Sequence, residues 1–288
     1  MEAAKTEPND KFTLVQELAK DLSKGNLELP SFPDIAVRVR KALDDEMATT
    51  DHIVQILGAE PVLAAKILAI ANSAAMRPST DAITDLPMAV NRIGRSMVRN
   101  AAMSFAVAQT KKGYKMKEAK DLLEKLWSEC AHVAALCFIL TKKYTKLNPD
   151  EALLVGLMHG IGKLYILARA EDHPELFNDA NELKAVMDEW HASIGSAIVN
   201  KWGFSDDVSD AIANYSDFER DNGEDANYTD VLTIAYILSQ LLNSETDMEV
   251  QLDAIPASRH LHLTTAEIMP TLQESNRQIS SLRKALGK

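Results

Sequence analysis

Cationic side chains are in the minority in this sequence of 288 residues. Its 31 lysines and arginines face 42 aspartates and glutamates, which gives a formal net charge of -11 at pH 7. Because nucleic-acid binding rests largely on cationic side chains that neutralise phosphates, this balance argues against a nucleic-acid partner. It favours a partner protein or a small ligand.

Cysteine is scarcer still. The two cysteines, Cys130 and Cys137, lie seven residues apart on one predicted helix. This spacing separates them by about 10 Å, which is too far for a disulfide. We therefore expect two buried free thiols, as in a protein of a reducing cytoplasm.

Long apolar runs are also absent. No uninterrupted run approaches the roughly 20 residues that are needed to span a membrane. Residues 1–8 lack the basic-then-apolar order of a signal peptide. We expect a cytoplasmic protein with no membrane partner.

Several motifs of known chemistry are missing, and so is the pattern of a β-sheet. The sequence has no glycine-rich phosphate loop, no nucleophile elbow and no paired-cysteine zinc spacing. No run alternates convincingly with period two, and no repeat of fixed period is visible. Apolar residues recur at helical spacing instead, so the predicted fold class is all-α. The main predicted helices cover residues 12–24, 34–43, 50–57, 62–72, 85–109 with a hinge at Gly94, 122–144, 149–159, 185–202, 207–218, 228–242, and a last helix capped by Thr264.

The most informative helix is the one that ends on His159. Asn148 is placed to N-cap it, Pro149 suits its first position, and Glu151 has the capping-box spacing. Since residues 152–158 contain no polar side chain, other helices should enclose this helix, and His159 should reach the interior. A buried imidazole needs a metal, a carboxylate, a hydroxyl or a carbonyl to face it.

The chain divides at the short basic break Lys111-Lys112-Gly113, between two long helical patterns. We predict a boundary near residues 109–118. The predicted parts are an N-terminal extension with a leading helix (1–28), a first helical lobe (29–113) and a second helical lobe that includes the C-terminal helix (114–288). The short turn after the 122–144 helix predicts that this helix and the His159 helix pack side by side. Gly156 is a point where a neighbouring helix can approach closely.

Two groups of short motifs carry a family resemblance. The first group is Leu29-Pro30, Pro33, Glu60-Pro61-Val62-Leu63, the run from Leu68 to Ala74, Ile83, Ala89-Val90 and Ile93-Gly94. The second group is Leu126-Trp127, the run from Gly156 to Leu164, His191, Gly195 and Trp202-Gly203. Over roughly residues 29–240 the chain resembles the HDOD family of bacterial regulatory domains, which are relatives of the HD metal-dependent phosphohydrolases. The resemblance implies a two-lobe helical fold with an HD-like helical bundle in the second lobe, and a role in signal transduction.

The HD enzymes hold one or two metal ions with a histidine, a His-Asp pair and a later aspartate. In this sequence Glu129 stands at the first position, His159 is followed by Gly160 at the pair, and Tyr236 takes the place of the last aspartate. A glycine has no ligand atom, and loss of the bridging carboxylate removes both charge and geometry. The resemblance therefore implies no catalytic residue, no metal and no cofactor.

Two other histidines leave an enzyme open as the alternative. His132 lies one helical turn after Glu129, and His191 begins an apolar helical face. Together with His159 these residues could form a substitute metal site. Histidines satisfied by ordinary hydrogen bonds are nevertheless the commoner case.

We expect a non-catalytic HDOD-type signalling module that binds a partner protein or a small regulatory ligand, with the groove between the lobes as its binding surface. Asn72 and Ser73 could form a small polar ligand site, although both residue types also favour helix ends as caps. The alternative is an HD-type phosphohydrolase with rearranged ligands. A third interpretation, a helical scaffold without a ligand, requires that side chains fill the groove. Homo-oligomerisation stays open.

Overall fold

The computed structural model describes residues 10–25, 27, 34–45, 47–76, 82–221, 223, 225–243 and 252–287. Within these residues the chain forms α-helices and short 3-10 turns but no strand, so the predicted all-α class is confirmed. The helices are α1 Asp10–Lys24, α2 Asp34–Asp44, α3 Thr50–Gly58, α4 Pro61–Ala71, α5 Leu86–Gln109, α6 Lys117–Tyr144, α7 Pro149–Met158, α8 Ile161–Ala170, α9 Ala180–Lys201, α10 Asp206–Asn214, α11 Tyr228–Asn243, α12 Pro256–His260 and α13 Thr265–Gly287.

Most of the sequence signals for helix ends are confirmed. At the start of α3 the Thr49 side chain accepts a hydrogen bond from the His52 N–H, and at the start of α7 Asn148 accepts one from Asp150. Gly94 has a φ of 76° and divides α5 at the predicted hinge. Glycine adopts this left-handed conformation without the steric cost that a Cβ would bring.

Both α6 and α9 begin five residues before their apolar patterns predict. At α9, the Asp179 carboxylate accepts hydrogen bonds from two N–H groups of the first turn, which extends the helix backwards. Ahead of α6, two N–H groups donate to the carboxylate of Glu171. This second contact joins residues that are distant in sequence, so no local pattern could have predicted it.

The predicted capping box at the start of α7 is wrong. The Glu151 carboxylate does not bind the Asn148 N–H, which donates instead to the hydroxyl of Tyr228 at 3.2 Å. The same hydroxyl donates to Glu151 at 2.9 Å. A tyrosine from α11 thus stands between the two groups that a local capping box would join.

The leading helix α1 packs on α8 and α9, which belong to the predicted second lobe. The Arg169 guanidinium lies 3.1 Å from the Glu17 carboxylate and 3.2 Å from that of Asp21. The Tyr165 hydroxyl also donates to Asp21. These contacts attach the N-terminal extension to the predicted second lobe, although the predicted first lobe follows it directly in sequence.

The helices α6 and α7 pack side by side, as predicted from the short turn between them. Gly156 makes the contact close, because a Cβ built on it would lie 2.6 Å from the Cα of Ala134 and 3.0 Å from the Sγ of Cys137. All seven residues from Ala152 to Met158 are buried. The expectation of an enclosed helix is therefore confirmed.

Buried apolar side chains from both predicted lobes form one continuous core, in which α5 packs on α7. The predicted boundary near residues 109–118 falls at the 3-10 turn Thr110–Gly113, between α5 and α6. The division into residues 1–28, 29–113 and 114–288 stays a prediction.

The C-terminal helix α13 packs along α6 and also reaches α4. In its first half, the hydroxyls of Tyr144 and Thr271 lie 2.5 Å apart. Near its end, the Ser281 hydroxyl accepts a hydrogen bond from the Ala74 N–H at 3.0 Å. The helix therefore forms one wall of a cavity that residues of α4, α5 and α6 also line.

The prolines of the predicted break at residues 29–33, and residues 1–8, lie outside the described residues. The segment Pro149–Ala170, which spans α7 and α8, is long and apolar enough to cross a membrane by length and composition. Other helices bury 89% of its apolar window, which is typical of core helices. Because His159 and Lys163 interrupt this segment, it contains no unbroken apolar run of the roughly 20 residues that a membrane span needs. The cytoplasmic location stays a prediction.

Candidate functional site

His159 lies at the corner between α7 and α8 and is 1% exposed. Its Nδ1 atom is 2.7 Å from the carbonyl oxygen of Gly156. Because a carbonyl only accepts, Nδ1 carries the proton and Nε2 is left as an acceptor. The prediction that His159 reaches the interior is confirmed, and a backbone carbonyl is the partner of its Nδ1.

His191 of α9 has a similar arrangement. Its buried ring has Nδ1 2.8 Å from the Met187 carbonyl oxygen, and its Nε2 is buried without a hydrogen-bond partner among the described residues. The helix α9 comes this close to α8 because Gly162 has no side chain. A Cβ built on Gly162 would overlap the carbonyl oxygen of His191.

The ring of Tyr215, which ends α10, packs edge-on against both histidines. Its centroid lies 5.4 Å from that of His159 and 5.7 Å from that of His191. Tyr236 of α11 completes the cluster, 5.1 Å from Tyr215 and 5.9 Å from His159. Edge-to-face contacts of this kind are favourable for aromatic rings. These four residues, His159, His191, Tyr215 and Tyr236, are called the ring cluster below.

Position 160 has no room for a side chain as the helices are packed. A Cβ built on Gly160 would lie 2.5 Å from the Sγ of Cys130 in α6. Burial raises the pKa of the Cys130 thiol to about 12, with the nearby Glu129 carboxylate as the second cause, so the thiol stays protonated at neutral pH. Both Cys130 and Cys137 are free and buried, as predicted.

Lys163 places a positive charge beside the ring cluster. It is 9% exposed, and its Nζ lies 5.5 Å from the centroid of the Tyr236 ring, within cation–π range. Burial lowers the pKa of His159 to about 3, and the Lys163 ammonium is the second cause. The same two causes lower the pKa of His191. Both imidazoles are therefore neutral at pH 7.

A groove of about 620 Å³ opens over Lys163 and Tyr236, between α6, α8, α9 and α11. Glu129 stands at this groove and accepts a hydrogen bond from Gln240 at 2.9 Å. The other charged residues that line it carry both signs and are Glu118, Asp121, Lys125, Lys184 and Asp188. The structure thus brings Glu129 and Tyr236 to one groove beside His159.

His132 lies elsewhere, in the contact between α6 and α13. Burial lowers the pKa of His132, and the charge of Arg283 on α13 is the second cause. Neither ring nitrogen has a hydrogen-bond partner among the described residues. In the described part of the chain no three His, Cys, Asp or Glu side chains are grouped so that they could hold a metal ion. The candidate ligands Glu129, His132, His159 and His191 are therefore not assembled into one site.

Comparison with known proteins identifies the family. The model of the HDOD domain matches residues 29–218, about two thirds of the chain. The chain belongs to the HDOD domain family. No curated protein sequence matches it.

Solved structures with the same fold include another HDOD domain protein. An HDOD domain protein with unknown function from Geobacter sulfurreducens is 21% identical, with a TM-score of 0.69 and coverage of 96% of this chain and 98% of that chain. A protein from Shewanella amazonensis SB2B, named as a candidate metal-dependent phosphohydrolase, is 25% identical, with a TM-score of 0.80 and coverage of 96% and 99%. A candidate signal transduction protein from Marinobacter aquaeolei VT8 is 18% identical, with a TM-score of 0.63 and coverage of 97% and 67%.

Two residues of the site in this HDOD protein, Tyr215 and Lys163, were not predicted from the sequence. Tyr215 shares the buried face of α10 with Val208, Ala211 and Ile212, and this helical spacing predicts burial without identifying the histidines as partners. Lys163 was visible as the one charged residue just after the His159 motif. Its position beside the ring cluster depends on the packing of α8 against α9 and on the approach of Tyr236 from α11.

The two candidate residues at the end of α4, Asn72 and Ser73, have different roles in this HDOD domain. The Asn72 amide donates to the Ile83 carbonyl at 2.8 Å and accepts from the Ile83 N–H at 2.9 Å, which is a structural role. The Ser73 hydroxyl is buried and has no partner among the described residues. Ser73 is one of the residues that line a second cavity, which lies between α4, α5, α6 and α13.

Proposed function

We propose that this protein is a non-catalytic HDOD signalling module, cytoplasmic, that acts by binding a partner protein or a small regulatory ligand. The observation that carries the proposal is the packing of the Tyr215 ring against both His159 and His191, next to a position 160 without a carboxylate. In an HD enzyme the metal ions and the substrate phosphate would need that space and that carboxylate.

The chemistry of the site also argues against a divalent ion. Such ions need several carboxylate or imidazole ligands in a fixed arrangement, and the ring cluster offers two neutral imidazoles and two phenol groups. Lys163 adds a fixed positive charge close enough to lower the pKa of both histidines. A second cation there would meet repulsion rather than charge compensation.

One observation favours the alternative, a metal-dependent phosphohydrolase with rearranged ligands. In both His159 and His191 a backbone carbonyl accepts from Nδ1 and leaves Nε2 as an acceptor, which is how histidine ligands are commonly oriented toward a metal. The candidate phosphohydrolase from Shewanella amazonensis SB2B shares this fold. Two imidazoles without a third protein ligand do not complete a metal site, so we favour the non-catalytic function.

A hydrolysis assay tests the proposal. Purified full-length protein is incubated with phosphomonoesters and cyclic dinucleotides in the presence of manganese, iron, nickel or zinc. We expect no turnover above that of the His159→Ala variant, which retains any contaminating activity but lacks the central imidazole. Turnover by the wild-type protein that disappears in His159→Ala would establish the alternative.

A further inference from the structure

A cavity of about 890 Å³ lies between the two lobes and the C-terminal helix, far from the ring cluster in sequence and lined by other helices. Its walls are α4 and α5 on one side and α6 and α13 on the other. This volume falls in the range of roughly 300–1,000 Å³ that is usual for small organic ligands. Side chains therefore do not fill this groove, as the third interpretation, a helical scaffold without a ligand, would require.

The charge of the cavity is opposite to that of the protein. The chain carries a net charge of -11, yet the cavity is lined by Lys66, Lys120 and Lys284, and none of its described lining residues is acidic. Three lysines in a partly enclosed cavity attract anions, because their fields add and the low-dielectric walls focus them. The charge of the lining therefore favours a negatively charged ligand.

Lys66 is the central cation. It is 7% exposed, forms no ion pair with any described residue, and its Nζ lies 6.0 Å from the centroid of the Trp127 ring. Burial lowers the pKa of Lys66 to about 8, which still leaves it mostly protonated at neutral pH. Lysines are almost never this buried without a partner, because a desolvated charge is costly. An anion in the cavity would supply the missing partner.

Ser73 provides an independent polar group in the same cavity. The serine is 2% exposed, and its hydroxyl has no hydrogen-bond partner among the described residues. The two hydrogen bonds between Asn72 and Ile83 fix the backbone beside it. A serine hydroxyl without a partner can rotate and donate to an anionic oxygen.

The rest of the lining is apolar and suits a hydrocarbon body. On the outer face of α4 it includes Val62, which is 59% exposed. The other apolar lining residues are Ala65, Ala69, Phe105, Ala108 and Ala285. Apolar walls with a few convergent polar groups are typical of sites for small organic ligands.

We infer that this cavity binds an organic anion with an apolar body, whose carboxylate or phosphate pairs with Lys66 and accepts a hydrogen bond from Ser73. The inference names the ligand class for the regulatory binding proposed above and rests on that proposal for its biological meaning. The binding itself does not depend on the metal question. Since α13 forms one wall, the ligand would join the first lobe to the C-terminal helix.

Decanoate is a suitable probe, with decanol and decylamine as neutral and cationic probes of the same chain length. Binding is measured by isothermal titration and by the shift in melting temperature of the full-length protein. We expect decanoate to bind and to raise the melting temperature, because a ligand that binds only the folded state stabilises it. Decyl phosphate in place of decanoate identifies the preferred anionic group, and tighter binding of either anion than of decanol supports the inference.

The decisive variant is Lys66→Met, which keeps an unbranched side chain only one atom shorter and removes its charge. We expect a loss of decanoate affinity of roughly tenfold to a hundredfold, as for a hydrogen bond to a charged group. Ser73→Ala should lower the affinity for decanoate several-fold. Lys41→Met is the matched control, because it removes the same charge from an exposed site on α2 and should bind as the wild type does.

Lys66→Met should fold at least as stably as the wild type without ligand, since it replaces an unpaired buried cation by an apolar chain. Equal affinities of the wild type, Lys66→Met and Lys41→Met for decanoate would overturn the inference. So would equal affinities of the wild type for decanoate and decanol, or no binding of any anion. None of these results affects the hydrolysis assay, so failure of the cavity inference is distinguishable from failure of the proposed function.

Discussion

Gly160 lies directly against the thiol of Cys130. A Cβ at position 160 would be 2.5 Å from the Cys130 Sγ. In an HD enzyme position 160 holds the aspartate of the His-Asp pair. In this chain, restoring that aspartate therefore requires the Cys130 side chain to move. The two positions should behave as a coupled pair.

We predict that Gly160→Ala destabilises the protein by about 1–3 kcal/mol, the usual cost of overpacking a core. In the double variant Gly160→Ala/Cys130→Ala the cost should be less than the sum of the two single costs, because the clashing sulfur is gone. Urea unfolding at pH 7.5 measures the four free energies. Cys137→Ala is the matched control, since its Sγ faces Gly156 instead. If both alanine substitutions for cysteine relieved Gly160→Ala equally, the specific contact would be refuted.

A second prediction concerns the contact between α6 and α7. Gly156→Leu and Gly156→Ala should each destabilise the protein more than Gly160→Ala does. The Cβ at position 156 would lie 2.6 Å from the Cα of Ala134, and backbone cannot rotate away as a cysteine side chain can. Melting temperatures of the three variants test this. Equal values for Gly156→Ala and Gly160→Ala would show that the helices separate easily.

These contacts show where sequence reasoning succeeds and where it ends. The caps at Thr49 and Asn148 and the hinge at Gly94 are local, so the chain predicts them without the tertiary structure. The link from Asn148 through Tyr228 to Glu151 and the cluster around Tyr215 join helices that are distant in sequence. The family resemblance identified Gly160, but only the packing relates it to Cys130.

The hydroxyl of Tyr215 leads to a third prediction. It is buried and has no hydrogen-bond partner among the described residues. Removing such a group is neutral or stabilising, whereas removing a satisfied one costs about 1 kcal/mol. Tyr215→Phe should therefore unfold at the same or a higher urea concentration than the wild type, while Tyr215→Ala should lose about 3–5 kcal/mol because it empties the cluster. A loss of 1 kcal/mol or more in Tyr215→Phe would mean that the hydroxyl has a partner.

The lowered pKa of His159 predicts a dependence of stability on pH. The ordinary histidine pKa is about 6.5, and burial lowers that of His159 to about 3, with Lys163 as the second cause. Between these values the unfolded chain binds a proton that the folded protein does not. The free energy of unfolding should therefore fall as the pH falls below about 6.5, by up to about 1.4 kcal/mol per pH unit from this group. His191 contributes with the same sign.

Urea unfolding at pH 7.5 and pH 5.5 tests this pH dependence in the wild type and in His159→Gln. Glutamine does not titrate, so the variant should lose less stability between the two pH values than the wild type does. Other groups titrate in both proteins and cancel in the comparison. An equal loss in the two proteins would contradict a buried neutral His159.

Metal content tests the central claim most directly. The full-length protein is incubated with manganese, iron, nickel or zinc, dialysed and measured by elemental analysis beside His159→Ala. With the Tyr215 ring against both histidines and no ligand atom at Gly160, we predict that the wild-type protein retains no more metal than the variant. Near one equivalent of metal in the wild type, lost in His159→Ala, would contradict the account and assign a metal centre to the ring cluster.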